Sequence, residues 1–246
     1  MIVAALCAAL IANDTLAAGV TKQEQAFLFD GRSVRVEVFR PRGDAPAPAA
    51  LVLHGASGVG QGWYVYPFAE ALASRGVAAY VVHYYDGLGR RGRKASPKIF
   101  RLREKIVAKA LDFVASQPDV LADRIGAYGM SLGGFHALAL GVQDGRVKSV
   151  ASLGGAMSRH IPATAIGNMP PTLILHGGRD RVVPLNRALG LKKAMAKAGV
   201  DGEIKIYKGE GHSFSRRAHA DAIESVARFM ANSLAAPNSV AVVGKR

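Results

Sequence analysis

A single cysteine, Cys7, stands in a chain of 246 residues. That excludes a disulfide within the chain and any metal site built from several thiolates. Tryptophan also occurs once, at Trp63, and aromatic residues make up only 7% of the chain. No aromatic stretch of the RNA-binding type is found, and neither zinc-finger spacing nor a basic zipper occurs. No histidine pair brackets a glutamate at helical spacing, so the zinc-peptidase motif is missing too. Acidic residues are scarce, 18 against 32 Lys plus Arg, which leaves a formal net charge of +14. This balance favours an anionic partner. With no nucleic-acid motif in support, the remaining options are an acidic substrate, an anionic envelope surface, or a basic surface with no partner.

The chain also lacks an apolar run of the roughly 20 residues that a membrane helix needs. The longest candidate is Met1 to Ala18, MIVAALCAALIANDTLAA. Its apolar start, polar middle and small residues resemble a signal peptide cut after Ala17 or Ala18, although no Lys or Arg precedes the run. A buried N-terminal helix is the alternative. Residues 1–18 are therefore expected to be a leader, 19–235 a single domain and 236–246 a loose tail. The leader implies a periplasmic or secreted protein.

Half of the residues are hydrophobic, enough for a sizeable core. Strand-like runs alternate with helical ones. Ala26 to Phe29 and Val34 to Phe39 flank Asp30-Gly31, a hairpin signal. Pro41 to Pro48 reads as a connector. A short apolar run with no polar alternation follows at Ala50 to Leu53, with further strand-like runs at Val77 to Tyr85, Arg124 to Tyr128, Val147 to Leu153, Pro171 to Leu175 and Glu203 to Tyr207. The first fits a strand buried on both faces, as in parallel sheets. Helical spacing occupies Trp63 to Ser74, Pro97 to Ser116, Leu132 to Leu140, Pro184 to Ala198 and Phe214 to Leu234. The pattern predicts an α/β domain with a mostly parallel sheet, helices on both faces and an antiparallel edge.

The strongest local motif is Gly129-Met130-Ser131-Leu132-Gly133, set between an expected strand and an expected helix. G-x-S-x-G in that place is a nucleophile elbow, in which the glycines make room for a strained turn that presents the serine hydroxyl. A serine nucleophile needs a base, and the base needs an orienting acid. On this fold they should follow in the order acid, then histidine. Asp180, in LILHGGRD, and His212, in KGEGHSF, each follow an expected strand and complete that order. Taken singly, Asp180 could cap the next helix and His212 could sit in a surface loop. The loop His54-Gly55-Ala56-Ser57-Gly58 stands where an oxyanion donor is expected, so the backbone N–H groups of Ala56 and Leu132 are the candidate oxyanion hole. His54 is expected to shape that loop. His83, His136 and His176 are expected in the core, and His160 and His219 at the surface. Trp63, Tyr64, Tyr66, Tyr84 and Tyr85 are candidates for pocket lining or for core.

Four segments, LVLHGASG, IGAYGMSLGG, PTLILHGGRDRVVP and IYKGEGHSF, give the stretch from about Phe27 to about Ala231 a resemblance to the dienelactone hydrolase family of α/β-hydrolases. The resemblance implies an eight-stranded mostly parallel sheet, little or no cap domain, and hydrolysis of small carboxylic esters or lactones with no cofactor or metal. The enzymes that name the family carry cysteine in the elbow and glutamate in the first loop. Here those positions hold Ser131 and Gly55. A serine esterase is therefore the expectation, with peptide or thioester hydrolysis, acyl transfer, or a non-catalytic envelope-binding role as alternatives. The basic run from Gly89 to Lys105 begins just past an expected strand. Its Arg90, Arg91 and Arg93 are candidate contacts for an anionic substrate, or part of a solvated face.

Overall fold

The computed structural model describes residues 17–60 and 64–235. Most of the expected leader, Trp63 and the expected tail 236–246 lie outside the described residues. Strands β1 (Val20–Phe29) and β2 (Arg32–Pro41) form the expected hairpin. Phe29 pairs with Arg32, and the two loop residues Asp30 and Gly31 both take positive φ, 47° and 73°. That is the type I′ geometry whose twist matches the flanking strands. The strands extend beyond the apolar pattern. Strand β1 lies at the sheet edge and buries only Val20 and Phe27, so most of it carries no hydrophobic signal.

The chain then lays down β3 (Ala47–Leu53), α1 (Tyr66–Ala73), β4 (Ala78–Val82), α2 (Pro97–Ala115), β5 (Val120–Met130), α3 (Leu132–Gln143), β6 (Val147–Leu153), β7 (Thr172–Gly177), α4 (Leu185–Lys197), β8 (Gly202–Tyr207) and α5 (Arg216–Leu234). The eight strands form one sheet in the order β1-β2-β4-β3-β5-β6-β7-β8. Strand β2 runs antiparallel to β1 and β4, and all other neighbours are parallel. Pro48, expected in the connector, lies inside β3. It falls at the register shift between Ala47 and Ala49, where a missing N–H is tolerated.

Alternate residues of the central strands feed two cores, as the pleat requires. Ala49, Leu51 and Leu53 of β3 join the side chains of α2, α3 and α4. Ala50 and Val52 join those of α1 and α5 on the other face. His219, expected at the surface, is instead only 7% exposed. Its ring stands edge-on to Tyr64 and Phe68 near the packing of α5 against α1. The apolar run expected to continue to Tyr85 leaves the sheet after Val82, and the Asp86 N–H turns back to the His83 carbonyl.

The topology fixes where a site can form. From β3 the chain crosses to β4 on one side, and from β4 to β5 on the other. The loops leaving the carboxyl ends of β3 and β5 diverge there and open a crevice, the usual ligand position in open α/β sheets. Between β6 and β7, residues 154–171 contain only the 3-10 turn Ala163–Asn168.

Candidate active site

Ser131 sits between β5 and α3 with φ 50° and ψ −117°, a conformation that side chains rarely adopt. The surroundings impose it. The Ser131 N–H donates to the Leu153 carbonyl at 2.8 Å, and the Phe135 N–H returns to the Ser131 carbonyl at 3.1 Å. Gly133 is packed so tightly that a Cβ there would stand 2.1 Å from the Leu53 carbonyl oxygen. The start of α3 is thus pressed onto the end of β3, and strain at Ser131 is held by close backbone packing.

Asp180 and His212 leave the ends of neighbouring strands, β7 and β8. Their loops are stitched together: the Gly178 N–H donates to Tyr207 O and the Arg179 N–H to Glu210 O, both at 2.8 Å. The three side chains form a continuous hydrogen-bonded chain. His212 Nδ1 lies 2.7 Å from Asp180 Oδ2, and His212 Nε2 lies 2.8 Å from Ser131 Oγ. The Asp180 side chain is fully buried, and its other oxygen accepts the N–H groups of Val182 and Val183, both at 2.8 Å. Burial alone would raise its pKa. The hydrogen bonds from His212, Val183 and Val182 outweigh burial and hold it below the ordinary value, so it stays a carboxylate. His176, a core residue as expected, donates from Nε2 to Val183 O at 2.7 Å and steadies the turn that holds Asp180.

Ala56 and Leu132, the two candidate oxyanion donors, both line a cleft of about 650 Å³. Leu132 is the first residue of α3, where a helix N–H has no intrahelical acceptor. The loop after β3 lies against Ser131: a side chain at position 55 would begin 3.6 Å from Ser131 Cβ. Gly55 leaves that space clear.

The cleft has an apolar floor that includes Phe100 and Phe135, and a rim of Arg93, Arg101, Arg159 and Arg187. Among the described residues lining it there is no carboxylate. Of the three arginines expected to contact substrate, Arg93 lines the cleft, while the side chains of Arg90 and Arg91 are outside the described residues. Of the aromatic candidates, Tyr85 lines the cleft, Tyr84 is fully buried, and Tyr66 donates to Glu37 instead. Arg103 of the basic run is a buried brace, donating to the Gly92 and Lys94 carbonyls at 2.7–3.0 Å. Its place on the α2 face shared with Ile99, Ile106 and Ala110 was the signal for that burial. Sequence reasoning reached Arg101 only as part of the basic run and missed Arg159, Arg187 and Ser158 as cleft residues, because separate loops and helices bring them together.

A strained serine after a parallel strand, hydrogen-bonded to a histidine and through it to a buried aspartate, defines this as an α/β-hydrolase architecture. Residues 34–238 match the model of the dienelactone hydrolase family, and the chain belongs to that family. YtaP of Bacillus subtilis, named as a hydrolase, is 30% identical over 140 residues, 48% of this chain and 46% of that protein. The chain thus spans under half the length of this curated relative. Among solved structures, a dienelactone hydrolase-like promiscuous phosphotriesterase from metagenomic libraries superposes with a TM-score of 0.75 at 17% identity, covering 89% of this chain and all of the other. A cold-adapted esterase from an Arctic intertidal metagenomic library gives 0.68 at 18% identity, covering 92% of this chain and all of the other. At such identities the likeness is one of fold.

Proposed function

We propose that the protein is a serine hydrolase that cleaves small carboxylic esters or lactones through an acyl-enzyme on Ser131. The observation that carries this reading is the Ser131–His212–Asp180 hydrogen-bonded chain on a strained elbow. Family membership and the fold likeness to esterases agree with it. In the proposed cycle His212 Nε2 takes the Ser131 proton as Oγ attacks the carbonyl carbon. The Nδ1–H bond to Asp180 keeps the imidazole in the correct tautomer and stabilises the imidazolium. The Ala56 and Leu132 N–H groups receive the oxyanion, a contribution of about 10²–10³ in kcat per donor in enzymes of this type. His212 then returns the proton to the leaving alcohol, and water repeats the sequence on the acyl-enzyme. Glycine at position 55 and serine at 131 favour simple esters over the substrates of the cysteine-bearing relatives.

The arginine rim supports a finer version of this reading, in which the ester carries an anionic group held by Arg93 with Arg101, Arg159 and Arg187. Arg90 and Arg91 extend the same positive run in sequence. Export through the leader, and contact of the basic surface with an anionic envelope, form part of the proposal and rest on sequence and charge alone.

The test is reaction of the purified protein with a fluorophosphonate, followed by peptide mass spectrometry and a panel of short-chain esters and lactones. The expected result is a covalent adduct on Ser131, lost in His212→Ala, with turnover of at least one ester. Folded protein that forms no adduct and turns over no ester would remove the hydrolase reading and leave a binding role for the basic surface.

A further inference from the structure

The loop after β3 has its carbonyl groups tied one after another. The His54 carbonyl accepts the Tyr84 hydroxyl at 2.6 Å. The Gly55 carbonyl lies 2.8 Å from His54 Nδ1 and also accepts the Gly58 N–H at 3.1 Å. The Ala56 carbonyl accepts the Tyr85 hydroxyl at 3.0 Å, and the Ser57 carbonyl accepts Arg93 Nη1 at 3.1 Å. The second carbonyl in this series bears on chemistry. The Gly55 C=O and the Ala56 N–H belong to one planar trans peptide and point in opposite directions. Whatever grips that carbonyl therefore aims the N–H.

A carbonyl can only accept, so His54 Nδ1 carries the proton in this contact. The ring that holds it is itself clamped. Tyr84 stacks on it at 3.9 Å with planes 10° apart, and Tyr85 meets it edge-on at 4.7 Å. Burial holds the imidazole neutral, its pKa pushed down to about 3 despite the opposing pull of the Gly55 carbonyl. Neutral imidazole has one N–H, and here it is spent on Gly55. His54 is thus excluded as a proton carrier for the reaction.

We infer that His54 is a positioning residue of the oxyanion hole: its Nδ1–H grips the Gly55 carbonyl and thereby points the Ala56 N–H toward the reacting carbonyl, while Tyr84 and Tyr85 lock the ring and the flanking carbonyls. The inference rests on the ester-hydrolase reading and assigns this triplet a task in it. The device acts on a donor used chiefly in the transition state, so its loss should appear in kcat and leave KM nearly untouched.

Three variants test it: His54→Ala, which deletes the donor; His54→Asn, whose side-chain amide can place an N–H near the same point; and Tyr85→Phe, which removes one hydroxyl and keeps the ring. On a neutral short-chain ester, His54→Ala should lower kcat about 10²-fold with KM within about threefold, in line with the loss of one oxyanion donor. His54→Asn should recover at least about tenfold of that loss, and Tyr85→Phe should cost about tenfold in kcat. Affinity for a boronic acid that mimics the tetrahedral state should fall in step with kcat. If kcat stays within twofold in His54→Ala, or His54→Asn is no better than His54→Ala, the inference is overturned while the hydrolase reading stands. Should His54→Ala not fold, Tyr85→Phe decides: unchanged kcat and boronate affinity overturn it. Wild-type protein without adduct or turnover would instead bring down the hydrolase reading, and this inference with it.

Discussion

His54 and His136 are both buried, and burial pushes both imidazoles down to about 3 from an ordinary 6.5. His136 lies between Tyr84 and Phe100, and the positive charge of Arg103 disfavours its protonation further. The unfolded chain takes up these two protons near pH 6.5, and the folded chain does not until about pH 3. Stability is therefore complete above 6.5 and falls as pH drops toward 3, by up to about 1.4 kcal/mol per pH unit for each proton. Urea midpoints measured from pH 7 to pH 4 should fall steadily, and His136→Leu should reduce the slope by about one proton. Glu37 acts in a different window. Burial would raise its carboxyl, yet hydrogen bonds from His83, Lys22 and Tyr66 win and hold it at about 2, so its share is lost only below about 4.5. Single residues of the candidate site were unequally legible. Ser131, Asp180 and His212 could be read because each stands in a glycine-marked turn after a strand-like run. His54 was legible as a loop-shaper, but its grip on Gly55 needed the ring orientation set by Tyr84 and Tyr85.

Between elements, the decisive contact is the one that holds the acid and base loops together. A Cβ on Gly177, at the end of β7, would stand 2.1 Å from the Gly211 carbonyl oxygen, next to His212. Gly177→Ala must part these loops or twist one of them, at a cost of about 1–3 kcal/mol in overpacking. A shift of about 1 Å at His212 should cost on the order of 10² in kcat. Turnover and urea midpoint measured together check this: a large kcat loss with a modest midpoint shift is expected, and full activity would show that the loops tolerate separation. The same scale explains which elements the sequence made legible. Strand β3 is buried on both faces between parallel neighbours, so its apolar run was plain. The first half of β5 is not: Leu121 to Arg124 are part exposed, and the strand reads as a short run from Arg124. The first part of edge strand β1, before Ala26, was hidden for the same reason.

For the whole molecule, part of the charge of +14 lies at the cleft beside Ser131. Five arginines line this cleft, four of them at its rim and Arg103 buried behind, and no carboxylate among the described lining residues offsets them. A field of that sign should draw anionic esters inward and hold them there. The double variant Arg101→Gln, Arg159→Gln should lower kcat/KM for an ester bearing a carboxylate by about tenfold and leave a neutral analogue within twofold. Raising ionic strength from about 0.01 M to about 1 M should shrink the difference, since exposed charges are then screened within a few ångströms. Equal losses for both esters would remove the steering role. Within this rim Arg93 has two attachments, one to the cleft and one to the Ser57 carbonyl of the oxyanion loop. On the proposed reading, a change at that position should alter substrate preference and chemical speed together. Among the described residues Arg101 and Arg159 show no such tie, so on the proposed reading substitution there should change substrate preference without disturbing the oxyanion loop.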